Sequence, residues 1–324
     1  MPSAPRPLVP DAGERGLSSA DLGAVAGSLL AAWDGFLVVA QHLADAGGLS
    51  RPSRLPGWSA RDVCVHLGSW PDAPVLERLL ADGRAAADGG LDGAELGAPL
   101  DVDGANEAVL AAHRDASDDE VMAALRAARE RTVDFLDSPE ARGLALAPTR
   151  TLLGPLPLLG HVGAAAYELA VHALDLGPAA APAPSDDLLL AGLGALADVT
   201  GALCARSGVS ATVAILTPLG GWAFGSRGPD WTTVQLGPDA AASTLGWPSL
   251  EGAAPVVLDA SAGRAAVPPL LLRRELRVHD VPGLLALVPV LDAVPGLPGG
   301  AALAAGARYL SGLTRFVRRL PGLH

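Results

Sequence analysis

The chain has 324 residues, half of them apolar, with 35 acidic side chains against 23 basic ones and a formal charge of −12. That length favours two domains with sizeable cores, and the acidic balance argues against nucleic acid, which is held mainly by clustered basic groups on phosphates. Every basic residue is arginine, so enzymes that need a lysine Schiff base, a pyridoxal anchor or a phosphate-loop lysine are excluded. The only cysteines, Cys64 and Cys204, lack metal-type spacing and read as buried, inert thiols. No charged start precedes an apolar signal region and no uninterrupted apolar span approaches 20 residues, which predicts a cytoplasmic protein without stable membrane association.

Residues 1–17 mix proline, glycine and charge without periodicity and are expected as a loose leader. Over 18–46, Leu22, Val25, Leu29, Leu30, Trp33, Phe36, Leu37 and Ala40 recur at intervals of three and four, the pattern of an amphipathic helix. Pro56-Gly57 breaks the chain, and Ser59 with Asp62 forms a capping box that starts the next helix. Residues 83–104, rich in glycine and aspartate, read as a loop, and a short helical pattern follows over 106–113. Ser117 and Glu120 open a helix to about Leu136, and another over 157–176 stops at Gly177-Pro178. This makes four main helices and one short one, a bundle over 18–178.

The segment PAAAPAPS at 178–185 reads as a linker. Ser185 then caps a helix to about Arg206, after which short β-rich runs at 211–216, 221–224, 232–236, 256–258 and 275–278 predict a smaller mixed α+β domain over 185–292. Residues 293–324 add a glycine-rich turn and a C-terminal helix carrying Arg308, Arg315, Arg318 and Arg319. That helix is expected to dock on its own protein or on a second copy in a homodimer, rather than on an acidic membrane.

The chemistry concentrates on two helices. Glu168 and His172 lie four apart in an apolar helical run, hence on one face and one turn apart, and His66 sits one turn into the helix that Ser59 caps. Packed side by side, the two helices would bring two imidazoles and one carboxylate to a divalent ion with an open position, the ligand count of catalytic zinc. Such spacing alone more often marks a surface pair; here Leu169, Ala170, Val171, Ala173 and Leu174 leave little polar surface, and an unpaired Glu168 would be expensive to bury. Asp62 and Asp175 stand where a carboxylate can accept a ligand histidine's other ring N–H, with helix capping and a solvated helix end as their respective alternatives.

A zinc-like ion in this set would activate a low-molecular-weight thiol by keeping it ionised at neutral pH. Arg264, after Gly263 in the mixed domain, is a candidate catalytic contact to an anionic substrate, against the plainer reading of a surface arginine. His42, His113, His161 and His279 lack partners at ligand spacing and read as structural; His161 lies on the Glu168 helix but about 16 Å along its axis from His172.

The segments LPGWSARDVCVH at 55–66 and YELAVHALD at 167–175, followed by a mixed domain, resemble the mycothiol-dependent maleylpyruvate isomerase family, a branch of the DinB-like four-helix bundles. The mixed domain is similar to sterol-carrier-type folds through SAGR at 261–264 and LRVH at 276–279. The resemblance implies His66, Glu168 and His172 as metal ligands, a small thiol such as mycothiol as cofactor, and isomerase or S-transferase chemistry on an electrophilic small molecule. Where members of the family often carry arginine just ahead of the glutamate, this chain has Ala165, Ala166 and Tyr167. Two rival readings stay open: a metal-independent lyase or cyclase on the same fold, and a non-enzymatic protein that binds a small molecule.

Overall fold

Helix α1, Leu22–Asp45, begins where the Asp21 carboxylate accepts the Ala24 N–H at 3.0 Å, and it buries Val25, Leu29, Trp33, Phe36, Val39 and Leu43 along one stripe. A computed structural model of the chain describes residues 6–98 and 100–293. The described residues fall into two units, one of Leu17–Leu196 and one of the described residues before Leu17 and after Leu196.

In the first unit α1 is followed by α2 (Ala60–Leu67), α3 (Val75–Ala87), the single turn α4 (Gly93–Leu96), α5 (Val102–Ala112), α6 (Asp118–Asp137) and short α7 (Pro139–Gly143). A two-residue hairpin of β1 (Pro148–Thr149) and β2 (Leu156–Pro157) then leads into α8 (Leu158–Asp175). Both expected capping boxes are present: Ser59 with Asp62 on α2, and Ser117 with Glu120 on α6. Helix α1 packs on α6 and α8, and α2 packs on α5, α6 and α8. Fully buried Phe36, Leu43, Leu125, Leu158 and Leu169 fill the centre, each stabilising the fold by about 1.5–3 kcal/mol through removal from water.

The structure corrects the expected loop at 83–104. Residues up to Ala87 belong to α3, which packs on α8 and brings the Gly83 backbone against Leu158; a Cβ there would lie 3.1 Å from the leucine side chain. Glycine reads as a breaker in sequence, yet here it permits a close helix approach.

Helix α9, Asp186–Arg206, starts after the proline-rich segment in the first unit and ends in the second. The second unit continues with β3 (Ala211–Thr217), β4 (Gly220–Arg227), β5 (Asp230–Leu236), α10 (Ala242–Leu245), β6 (Ser249–Gly252), α11 (Ala254–Ser261), α12 (Val267–Leu272), β7 (Leu276–His279), α13 (Val281–Leu285) and α14 (Val288–Ala293). The sheet order is β5-β4-β3-β6-β7, with β3 and β6 parallel and every other pair antiparallel. Gly201 of α9 sits so close to the sheet that a Cβ would meet the Trp231 ring at 2.9 Å.

Two further expectations are corrected here. Residues 256–258, expected as a strand, lie inside α11: Pro255 occupies the first turn, where a missing N–H does no harm, and a short apolar run fits a buried helix as well as a strand. The expected loose leader is tied to the sheet from Arg6 onward, with the Leu8 N–H donated to Thr212 Oγ1 at 3.0 Å, Trp231 N–H to the Glu14 carbonyl at 3.2 Å, and Trp247 Nε1 to the Arg6 carbonyl at 2.9 Å. The C-terminal helix expected over 301–320 lies outside the described residues. By length and composition α1 and α9 would each pass as a membrane span; most of α9 is buried, and α1 buries its stripe in the bundle.

Candidate metal centre

Helices α2 and α8 bring His66, Glu168 and His172 together, with one candidate donor atom from each residue lying within 4.8 Å of the others. His172 Nε2 is 3.4 Å from Glu168 Oε2, which equals the separation of about 3.4 Å between two ligands held at roughly 2.1 Å in tetrahedral geometry. The His66 and His172 rings meet edge to face with centroids 5.2 Å apart. His66 reaches this position because the capping box fixes the first turn of α2 and Val63, Cys64 and Val65 bury the rest of the helix. On α8 the alternating burial of Leu169, Ala170 and Ala173 leaves Glu168 as the exposed member of the trio, its side chain 48% accessible.

Asp175 has no solvent exposure and accepts bonds from His172 Nδ1 at 3.0 Å and from Arg54 Nε at 3.0 Å. The Arg54 N–H also donates to the Asp175 carbonyl at 2.8 Å, so the chain just before α2 is clamped to the end of α8. An ionised Asp175 can only accept, which places a proton on His172 Nδ1 and points Nε2 toward Glu168. Burial alone would lower the His172 pKa, but the hydrogen bonds to Asp175 and Glu168 and their charges outweigh it and raise it to about 9. His66 moves the other way, to about 4: burial and the neighbouring His172 charge disfavour its protonation more than Glu168 and Asn106 favour it.

Asp62 and Arg264 have contacts of their own. Asp62 Oδ2 accepts the Ser59 N–H and hydroxyl, both at 2.7 Å, so it serves the α2 cap rather than a ring nitrogen of His66. Arg264 lies in the second unit, exposed, with its guanidinium donating to the Ala262 carbonyl at 3.4 Å. Cys64, two residues before His66, is sealed in the core with burial pushing its thiol up to about 12, which leaves it protonated and unreactive. Trp58 stands edge-on to His66 at 5.6 Å between ring centroids. Arg54 was not visible as a partner in sequence, because its carboxylate lies 121 residues away. His113 is structural as expected, stacked on Trp70 at 3.8 Å.

Residues 29–177 match the family model of the mycothiol maleylpyruvate isomerase N-terminal domain, a span that contains all three members of the trio and Asp175. The chain carries a domain of this family. Among solved structures, two chains titled as the mycothiol-dependent maleylpyruvate isomerase, one of them a histidine-to-alanine mutant, are each 17% identical and cover 77% of this chain and 92% of their own. Their TM-scores are 0.45 and 0.44. No curated protein matches the chain.

Proposed function

We propose that the chain is a metal-dependent enzyme that uses a small thiol, mycothiol being the candidate drawn from its family, to isomerise or conjugate an electrophilic small molecule. The observation that carries this reading is the convergence of His66, Glu168 and His172 with a fully buried Asp175 behind one of them. The donor set fits a divalent ion of the zinc type: two imidazole nitrogens and one carboxylate oxygen, with a carboxylate fixing the tautomer of His172. A divalent ion held there supplies a positive centre that lets a bound thiol persist as a nucleophile at neutral pH.

The chain's own groups prepare that centre. Asp175 and Arg54 hold the His172 ring so that Nε2 faces Glu168, and Trp58 limits the movement of the His66 ring. Glu168, half open to solvent, marks the side from which a small molecule enters. The reaction class is addition of a thiol to an electrophilic double bond or epoxide; expulsion of the thiol gives isomerisation and its retention gives S-transfer. Arg264 is kept as a proposed contact to an anionic substrate.

Metal analysis of the purified chain, together with thiol-dependent consumption of maleylpyruvate, tests this reading. Stoichiometric zinc or a related ion in the wild type, and loss of both metal and turnover in His172→Ala, is the expected result. A wild-type chain that takes up no divalent ion leaves the thiol without an activator and overturns it in favour of the metal-independent lyase or cyclase. The binding-protein alternative expects a large apolar cavity. The groove described in the second unit, about 370 Å³, is lined by apolar Leu216, Pro218 and Ala253 as well as by charged Glu251, Arg274 and Arg277.

A further inference from the structure

In the second unit β3, β6 and β7 lie side by side, and their register sets which side chains share a face. Leu216 of β3 pairs with Glu251 of β6, and Glu251 with Arg277 of β7, so all three project from one side of the sheet. Ala240 packs against Leu216 at one end of that face. The groove of about 370 Å³ opens there, with Leu216 and Pro218 as apolar wall and Glu251, Arg274, Glu275 and Arg277 as its charged groups. Its volume is that of a small-molecule site, and nothing in the metal reading uses it.

Most of these charges are already matched. Glu251 accepts from Arg277 at 2.9 Å and meets His279 Nε2 at 2.8 Å, and Glu275 is held by Arg273 at 2.6 Å. Arg274 is exposed and, among the described residues, its guanidinium has no carboxylate partner. In a chain of charge −12, this rim sets Arg273, Arg274 and Arg277 against only Glu251 and Glu275. The backbone at Arg274 adds a second observation. Helix α12 closes through its main chain alone, with the Arg274 N–H on the Leu271 carbonyl at 3.1 Å and the Glu275 N–H on the Leu270 carbonyl at 2.9 Å. In that closure the residue after the cap turns left-handed and is usually glycine; Arg274 takes a φ of 59° there. An arginine thus stands where glycine would cost less, with its charge unmatched, at the edge of a groove.

We propose that this groove binds a compact aliphatic monocarboxylate, its carboxylate on the Arg274 guanidinium and its body against Leu216 and Pro218. The planar fork of arginine matches the two oxygens of a carboxylate and forms charge-assisted bonds to both. A single unmatched positive charge suits a monoanion. A phosphate brings more negative charge, which Glu251 and Glu275 on the same rim oppose. The site lies within the second unit and is independent of the thiol chemistry proposed for the first.

The full chain, isotope-labelled for NMR, is titrated with isocaproate, with its neutral amide isocaproamide and with inorganic phosphate, while the backbone amides of Ala240, Ala241 and Gly252 are followed. The expected result is saturable isocaproate binding centred on those amides, with the amide and phosphate at least about tenfold weaker. Arg274→Gly should raise the isocaproate dissociation constant about tenfold while the melting temperature holds or rises, because glycine suits the left-handed position. Arg227→Gln removes a positive charge at the end of β4, outside the groove, and should leave the constant within about twofold. A wild-type chain that binds no isocaproate, or shifts away from the groove, overturns the proposal, as does equal or tighter binding of the amide or of phosphate. So does an Arg274→Gly protein that binds like wild type, or one that melts lower, which would make Arg274 a structural side chain. An equal loss in Arg227→Gln reduces the effect to net charge and overturns it as well.

Discussion

Replacing Asp175 with asparagine tests the arrangement behind the proposed metal centre without changing its shape. The wild-type carboxylate is fully buried and meets His172 Nδ1 and Arg54 Nε at 3.0 Å each. Carboxylates in this position typically contribute 10–100-fold to metal affinity, or roughly 1.4–2.7 kcal/mol. A second effect opposes the first at neutral pH. With Asp175 in place His172 titrates near 9, so at pH 7 a proton competes with the metal and lowers apparent affinity about 100-fold. Asparagine weakens the metal bond but also weakens the proton's hold. The affinity gap between wild type and Asp175→Asn is therefore small at pH 7 and widens to the full 10–100-fold as pH approaches 9.

Competition titrations against a chromophoric chelator across this range measure the gap directly. Asp62→Asn is the control: its carboxylate serves the α2 cap, so it should reduce stability by about 1 kcal/mol and leave zinc affinity untouched. Equal zinc affinity in wild type and Asp175→Asn at pH 9, or an equal fall in Asp62→Asn, would refute the assignment of Asp175 as the group that orients His172.

Zinc binding at pH 7 should release one proton, from His172, because His66 with a pKa near 4 is already neutral; calorimetry in buffers of different ionisation enthalpy counts it. His161 makes stability depend on pH in a known direction. Its folded pKa of about 4 lies below the unfolded value near 6.5, so its contribution is complete above 6.5 and lost as pH falls toward 4, by at most about 3 kcal/mol; denaturant midpoints for wild type and His161→Asn should converge over that window. Asp198→Ala leaves Trp231 Nε1 and the Thr233 hydroxyl, now 3.0 and 2.7 Å from its carboxylate, without that acceptor, and should cost about 2–3 kcal/mol in a denaturant melt with zinc affinity unchanged. Gly225→Ala would put a Cβ 1.9 Å from the Leu8 carbonyl oxygen, so the N-terminal segment should detach from the sheet and become cleavable in limited proteolysis.

What could be read in the sequence was local. The capping boxes at Ser59 and Ser117 are recognisable because each closes within three residues, and the Glu168/His172 pair because a spacing of four fixes a shared helix face. The features that escaped depend on distant partners. Arg54 becomes meaningful only through Asp175, and β6 only through its parallel pairing with β3, which carries no alternation signal in four residues. Helix α3 has no counterpart among the expected helices, and its last turns fall in the loop expected from Gly83 onward, a position whose missing side chain serves the contact with Leu158. The N-terminal segment has no periodicity because its bonds go to Thr212, Trp231 and Trp247, each on a different part of the second unit.

The two histidines of the centre show why one helix can do so much. His172 and His66 face each other at 5.2 Å, yet one is held near 9 and the other near 4, because a carboxylate stands on each side of His172 while burial and the charge of His172 act on His66. Two cations at that distance repel, so the pair carries a single positive charge over the whole neutral range. The place shaped by Glu168, Asp175 and the two rings thus favours one compact positive charge, and a divalent ion meets the same demand more strongly than a proton. Glu168→Gln separates the contributions: it keeps the size of the side chain but removes the charge shared by proton and metal. The variant should lower the His172 pKa and weaken zinc together, whereas Asp175→Asn should change the pKa while most of the zinc-binding carboxylate chemistry survives on Glu168. Histidine titration by NMR alongside zinc competition reads both quantities on the same samples, and a Glu168→Gln protein that kept wild-type zinc affinity would remove the carboxylate from the set.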